Sequence, residues 1–129
     1  MGRSAGETYD QIGVGYTRRR QADTRIAGRI LDALGDAETI VNVGAGAGSY
    51  EPVDRRVVGV EPARTMIRQR GPTAAAVVRG YAEALPFATG AFAASLAVLT
   101  IHHWSDWRAG LREMVRVARQ RVVTWTTKR

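Results

Sequence analysis

Apolar positions along the chain follow two alternating rhythms. In residues 22–34, Ala22, Ile26, Ile30, Leu31 and Leu34 recur at helical spacing and Gly35 follows, which predicts an amphipathic helix with a glycine stop. Residues 39–43 read T-I-V-N-V, a β-branched run ending at glycines, and predict a short buried strand. A glycine-rich turn covers residues 44–48. Residues 49–55 predict a short helix or an irregular segment, its length limited by Pro52. Residues 57–61 (V-V-G-V-E) predict a second strand. Pro62 predicts a helix start, because its fixed φ and missing N–H suit a first turn. That helix is expected to reach about Arg70, ahead of Gly71 and Pro72. Further strands are predicted over 75–79, 94–99 and 121–126. A helix over 105–118 is predicted to carry Trp107, Leu111, Met114, Val115 and Ala118 on one face.

Apolar strands that alternate with helices imply an α/β fold with a parallel sheet covered on both faces. Right-handed crossovers then favour a doubly wound, Rossmann-like sheet of five strands in the order 3-2-1-4-5. No repeat, linker or low-complexity tract interrupts the pattern, so one domain over residues 1–129 is expected.

Composition narrows the classes. With 45% hydrophobic and 24% charged residues the chain reads as globular, not disordered. The absence of cysteine excludes a disulfide framework, Cys-ligated zinc and a thiol nucleophile. The longest apolar stretch, residues 91–101, is interrupted by Ser95 and Thr100 and is too short to span a bilayer. The first ten residues lack the apolar core of a signal peptide. These readings predict a soluble, cytoplasmic protein with no membrane partner. The net charge of +7 raises nucleic acid as a partner. However, 18 of the 19 basic residues are arginine, and alanine and glycine are abundant, as in a G- and C-rich coding sequence. Arg18, Arg19 and Arg20 form the one tight basic run. Arg108, Arg112, Arg116 and Arg119 recur at helical spacing and are expected to make a solvated face. Nucleic acid is therefore the less favoured partner.

The chemistry concentrates after the first strand. In V-N-V-G-A-G-A-G-S-Y (41–50), Gly44, Gly46 and Gly48 directly follow a strand, where bare main chain lets a ligand approach without meeting a Cβ. Glu61 ends the second strand, and a carboxylate there can accept hydrogen bonds from the vicinal hydroxyls of a ribose. Together they predict an adenosine-containing ligand. The pattern is G-x-G-x-G, with Ser49 where a dinucleotide fingerprint has its third glycine, and no lysine serves a phosphate loop. A ligand with a ribose but no phosphate fits best.

The sequence resembles class I S-adenosylmethionine-dependent methyltransferases, in the small-molecule and quinone methyltransferase group. Four segments carry the resemblance: residues 41–50, V-V-G-V-E-P (57–62), Y-A-E-A-L-P-F (81–87) and L-A-V-L-T-I-H-H-W-S-D-W (96–107). Residues 9–20 resemble the lid of such enzymes, which makes residues 1–21 a lid-like segment. The resemblance implies S-adenosylmethionine as cofactor and a small-molecule methyl acceptor. It implies cofactor contacts at Tyr16, Asn42, Gly44, Ala45, Gly46, Gly48, Glu61, Pro62, Tyr81, Ala82, Glu83 and Thr100. Among these, Glu61 would hold the ribose, the Ala82 N–H would meet the adenine, and Thr100 would lie near the methyl group. Tyr9 and Tyr16 would close over the cofactor. Asn42 and Tyr81 stand where such enzymes often carry an acidic residue and an Asp or Asn. A sixth and seventh strand usually follow in this family, so the edge of strand five is expected to be open to a second copy of the chain.

Methyl transfer from a sulfonium needs alignment and exclusion of water, and a base only when the acceptor arrives protonated. His102 and His103 are the candidate bases. Adjacent residues point in different directions, so the two are not expected to face one substrate or one metal. Trp104, Trp107 and Trp125 read as core or sheet-covering residues. No metal-ligand cluster is visible in the sequence.

Overall fold

The computed structural model describes residues 22–126. Its elements are α1 (Thr24–Leu34), β1 (Thr39–Val43), β2 (Arg56–Glu61), α2 (Arg64–Arg68), β3 (Ala76–Arg79), β4 (Phe92–Val98), α3 (Trp107–Val117) and β5 (Ala118–Trp125). Short 3-10 turns cover Ala82–Ala84 and Ile101–His103. The five strands form one sheet in the order β3-β2-β1-β4-β5, and all four pairings are parallel. The α/β, Rossmann-like sheet expected from the sequence is the one observed.

Each face of the sheet is covered by a different helix. Ile40, Ala94 and Leu96 pack with Ile30 and Leu34 of α1 on one face. Val41, Val43, Val60 and Ala97 pack with Met114 and Val117 of α3 on the other. This follows from the strand period of two, which sends neighbours in β1 to opposite faces. Central β1 and β4 are therefore apolar on both sides, and six of the seven residues of β4 are buried. Ser95 is the polar exception there, and its Oγ donates to the Met114 carbonyl at 3.0 Å.

Of the two readings for residues 49–55, the irregular one holds: they form turns and bends with no helix. Pro52, with Ser49, Val53 and Asp54 around it, gives that segment little helical propensity. Several boundaries and two faces depart from the sequence reading. Pro62 does not begin α2. The Glu61 carboxylate takes the Ala63 N–H at 2.9 Å, and Ala63 stays extended at φ −87° and ψ 115°, so α2 starts at Arg64. At the other end α3 runs into β5 with no loop, because Ala118 is at once helix cap and first strand residue. β5 thus starts three residues before the expected position. The polar Arg119 and Gln120 hid its start, and an outer strand tolerates them. The buried face of α3 is Gly110, Met114 and Val117, whereas Trp107 and Val115 are exposed. Leu31 of α1 is likewise exposed. Among the described residues, no helix is long and apolar enough to cross a membrane.

Candidate functional site

Because every strand is parallel, the carboxyl ends of β1, β2, β3 and β4 share one end of the sheet. Ligands of open α/β sheets bind beyond that end. Gly44–Gly48, Pro62, the Ala82 turn and Thr100 all follow those ends directly. The glycine turn is fixed at its start by two bonds to one acceptor: the Gly44 and Ala45 N–H groups both donate to the Val60 carbonyl, at 2.8 and 2.9 Å. Gly44, Gly46 and Gly48 all have positive φ, at 72°, 54° and 95°. A side chain at Gly44 would also collide with Thr100, and one at Gly46 would press on Met66 Cε at 3.1 Å. The end of β4 is thus folded against the turn.

Leu99 achieves that approach. It has φ 56°, the one positive φ outside glycine among the described residues, and its N–H donates to the Trp125 carbonyl at 2.7 Å. A left-handed leucine costs about 1–2 kcal/mol. It bends the chain immediately before Thr100. No property of leucine in the sequence announces this.

Glu61 is 6% exposed and aims at the turn, where its Oε1 accepts from the Gly46 N–H at 2.7 Å. With its bond to Ala63, the carboxylate ties the end of β2 to the glycine turn on one side and the start of α2 on the other. A ribose bound here would share the carboxylate with these two backbone groups.

The other sequence candidates divide. Ala45 and Ala82 are buried, Pro62 is half-buried, and Tyr81 is 62% exposed. Glu83 accepts from the Asp106 N–H at 3.1 Å and so braces the start of α3. Asn42 turns away to the α1 face, where its Nδ2 donates to Glu51 Oε2 at 3.0 Å. Tyr9 and Tyr16 lie outside the described residues.

His102 and His103 occupy the turn after Thr100. Their rings do not diverge: the 3-10 turn brings the centroids to 4.0 Å with a 42° tilt. His102 is exposed and His103 half-buried. Trp104 is half-buried and lies against Gly110, where any side chain would strike its ring. Trp107 is not a core residue; it stands 47% exposed with the Arg108 guanidinium 4.5 Å from its ring centroid. Among the described residues, no group of three metal-ligating side chains assembles.

Sequence reasoning missed Glu51 and Arg70. Their side chains are each 5% exposed and meet at 2.6 Å. Residues 19 apart in irregular segments carry no periodic signal of such a pair.

A family model for the methyltransferase domain matches residues 41–124, which span the glycine turn, Glu61 and the histidine turn. The chain belongs to the methyltransferase domain family. Its fold is the class I, Rossmann-like one of the S-adenosylmethionine-dependent methyltransferases. It is 29% identical over 92 residues to the uncharacterised methyltransferase YcgJ of Bacillus subtilis strain 168, covering 63% of this chain and 36% of that protein. It is similar to the solved structure of a methyltransferase assigned to an antibiotic biosynthesis pathway of Anabaena variabilis, with TM-score 0.72 and 29% identity. That match covers 81% of this chain and 47% of the other. An S-adenosylmethionine-dependent methyltransferase of Thermotoga maritima matches with TM-score 0.67 and 25% identity, over 86% of this chain and 55% of its own. The methyltransferase domain here therefore spans between about a third and just over half of the length of these relatives.

Proposed function

We propose that this methyltransferase domain binds S-adenosylmethionine and transfers its methyl group to a small-molecule acceptor. The observation that carries the reading is the bond from Gly46 N–H to Glu61 Oε1, which sets a carboxylate beside bare main chain at the carboxyl end of the sheet. The absence of a helix in residues 49–55 supports a ligand without phosphates. A dinucleotide site places its pyrophosphate at the N-terminus of the helix after the turn, and this turn is followed by none.

Bound here, S-adenosylmethionine would supply an electrophilic methyl carbon on a sulfonium that leaves as a neutral thioether. In this reading Gly44, Ala45, Gly46 and Gly48 border the cofactor, and Glu61 accepts from its ribose hydroxyls. Pro62, Tyr81, Ala82 and Glu83 belong to the adenine side, Asn42 lies beneath the turn, and Thr100 stands toward the methyl group. The lid-like segment of residues 1–21, with Tyr16, lies outside the described residues. His102, exposed, and His103, beside it, are the groups available to take a proton from the acceptor. The exposed outer strand β5 supports self-association. A cytoplasmic location belongs to the same proposal.

Titration calorimetry on the full chain tests the core of this reading. Saturable binding of S-adenosylmethionine or S-adenosylhomocysteine is expected, and tighter binding of NAD would overturn it. Glu61→Ala should weaken cofactor binding by about 1.5–3 kcal/mol, the range for a hydrogen bond to a charged group. Unchanged affinity would remove Glu61 from the site.

A further inference from the structure

The charged side chains of Glu51 and Arg70 are almost wholly buried, and the pair touches the turn from behind. Glu51 Oε1 accepts from Arg70 Nη2 at 2.6 Å and from the Ala75 N–H at 3.1 Å. Arg70 Nη2 also donates to the Ala75 carbonyl at 2.8 Å, and Nη1 donates to the Gly46 carbonyl at 3.0 Å. The Gly46 residue is therefore held at both ends: Glu61 takes its N–H and Arg70 takes its carbonyl. Glu51 adds a third hold, because its Oε2 meets the Asn42 amide one residue before Val43, where β1 ends. The pair lies over Gly59 of β2, where a Cβ would come within 3.4 Å of both Arg70 Nη2 and Glu51 Oε2.

Stability alone does not account for this arrangement. Removing two charges from water costs several kcal/mol per ion, and apolar replacements of buried pairs are often neutral or stabilising. Here Arg70 Nε is also buried with no hydrogen-bond partner among the described residues. Nor does a helix support the turn: residues 49–55 are irregular, and a cavity of about 400 Å³ lined by Ala47, Gly48, Glu51, Val57 and Ala74 lies behind it. What the pair does supply is direction. A guanidinium fork reaches two carbonyls at fixed angles, which a point charge or an apolar side chain cannot do.

We propose that Arg70, oriented by Glu51, is a positioning residue that sets the Gly46 peptide for cofactor binding, in place of support from a helix. The inference rests on the S-adenosylmethionine reading, so its test carries one arm that does not need the cofactor.

The variants are the paired apolar replacement Glu51→Leu with Arg70→Met, and the single Arg70→Lys. Three quantities are read on the full chain: urea stability, amide hydrogen exchange at Gly46 and Gly48 against Val41 and Val43, and S-adenosylmethionine affinity. In the paired variant the ion pair itself is dispensable, but the Asn42 amide, the Ala75 backbone and the Gly46 carbonyl lose partners, so stability should fall modestly while the chain still folds. Exchange at Gly46 and Gly48 should quicken by roughly tenfold or more while Val41 and Val43 keep their protection. Cofactor affinity should fall by roughly tenfold, as for the loss of about one charge-assisted hydrogen bond. Arg70→Lys should give a smaller change in the same direction, and it provides the same readings if the paired variant does not fold. Unchanged exchange at Gly46 overturns the proposal, as does affinity that falls only in step with global stability. If the wild-type chain binds no S-adenosylmethionine, the proposed function fails, and the exchange result alone decides the role of Arg70.

Discussion

At the scale of single residues, the glycine turn works because three positions adopt a backbone that side chains disfavour. Gly44→Ala should lower stability by about 1–2 kcal/mol from the left-handed backbone alone. Its collision with Thr100 adds to that, and a urea titration reads the sum. A second residue sets an acid response. The Glu113 carboxyl is held below its ordinary value, first by the Arg116 hydrogen bond and further by the Leu85 N–H, against the opposing effect of burial. The same pairing raises Arg116. A depressed carboxyl adds stability above its unfolded pKa, which is lost as pH falls through the folded value. Thermal unfolding against pH should therefore show a steeper loss below about pH 4.3 than in Glu113→Gln, which also starts lower at neutral pH. An identical acid limb in both would contradict this. Gly44 and Glu61 were legible because glycine spacing and a strand-end carboxylate are local signals. Leu99, Glu51 and Arg70 were not, since a leucine's φ and a contact across 19 residues have no local signature.

At the scale of elements, α3 is tied down at its N-terminal end as well as along its buried face. Asp106 caps it by accepting the Ala109 N–H at 3.1 Å, and Glu83 holds the Asp106 N–H. Asp106→Ala should cost about 0.5–2 kcal/mol, read as a lowered thermal midpoint. A larger loss would mean that the Glu83 bond fails with the cap. Arg116 is not part of a solvated face. It donates to the carbonyls of Phe87 and Leu85 at 2.8 and 3.0 Å and fixes the loop before β4. Helical spacing grouped Trp107, Leu111, Met114, Val115 and Ala118 on one side of α3, whereas the buried side is Gly110, Met114 and Val117. Spacing could not tell which side met the sheet, because Met114 and Val115 are both apolar and only packing separates them.

At the scale of the whole molecule, the excess of arginine acquires a structural meaning. Arg55, Arg70, Arg79, Arg116, Arg119 and Arg121 all donate to backbone carbonyls, in irregular segments or at element ends. Such carbonyls need partners, and a guanidinium offers five donors. This commits charge to the fold and dilutes any nucleic-acid surface. Retention on RNA should therefore vanish by about 0.2 M salt in a binding titration, and affinity that survives would restore the nucleic-acid partner. The sequence by itself determined the α/β class, the strand order and the glycine turn with its carboxylate. These follow from periodicity and from residues whose chemistry is local. Only the tertiary structure decided that no helix follows the turn, that the histidine rings lie together, and that a buried ion pair stands behind Gly46. Each of those depends on which distant segments share a small volume, and packing fixes that where no periodic pattern records it.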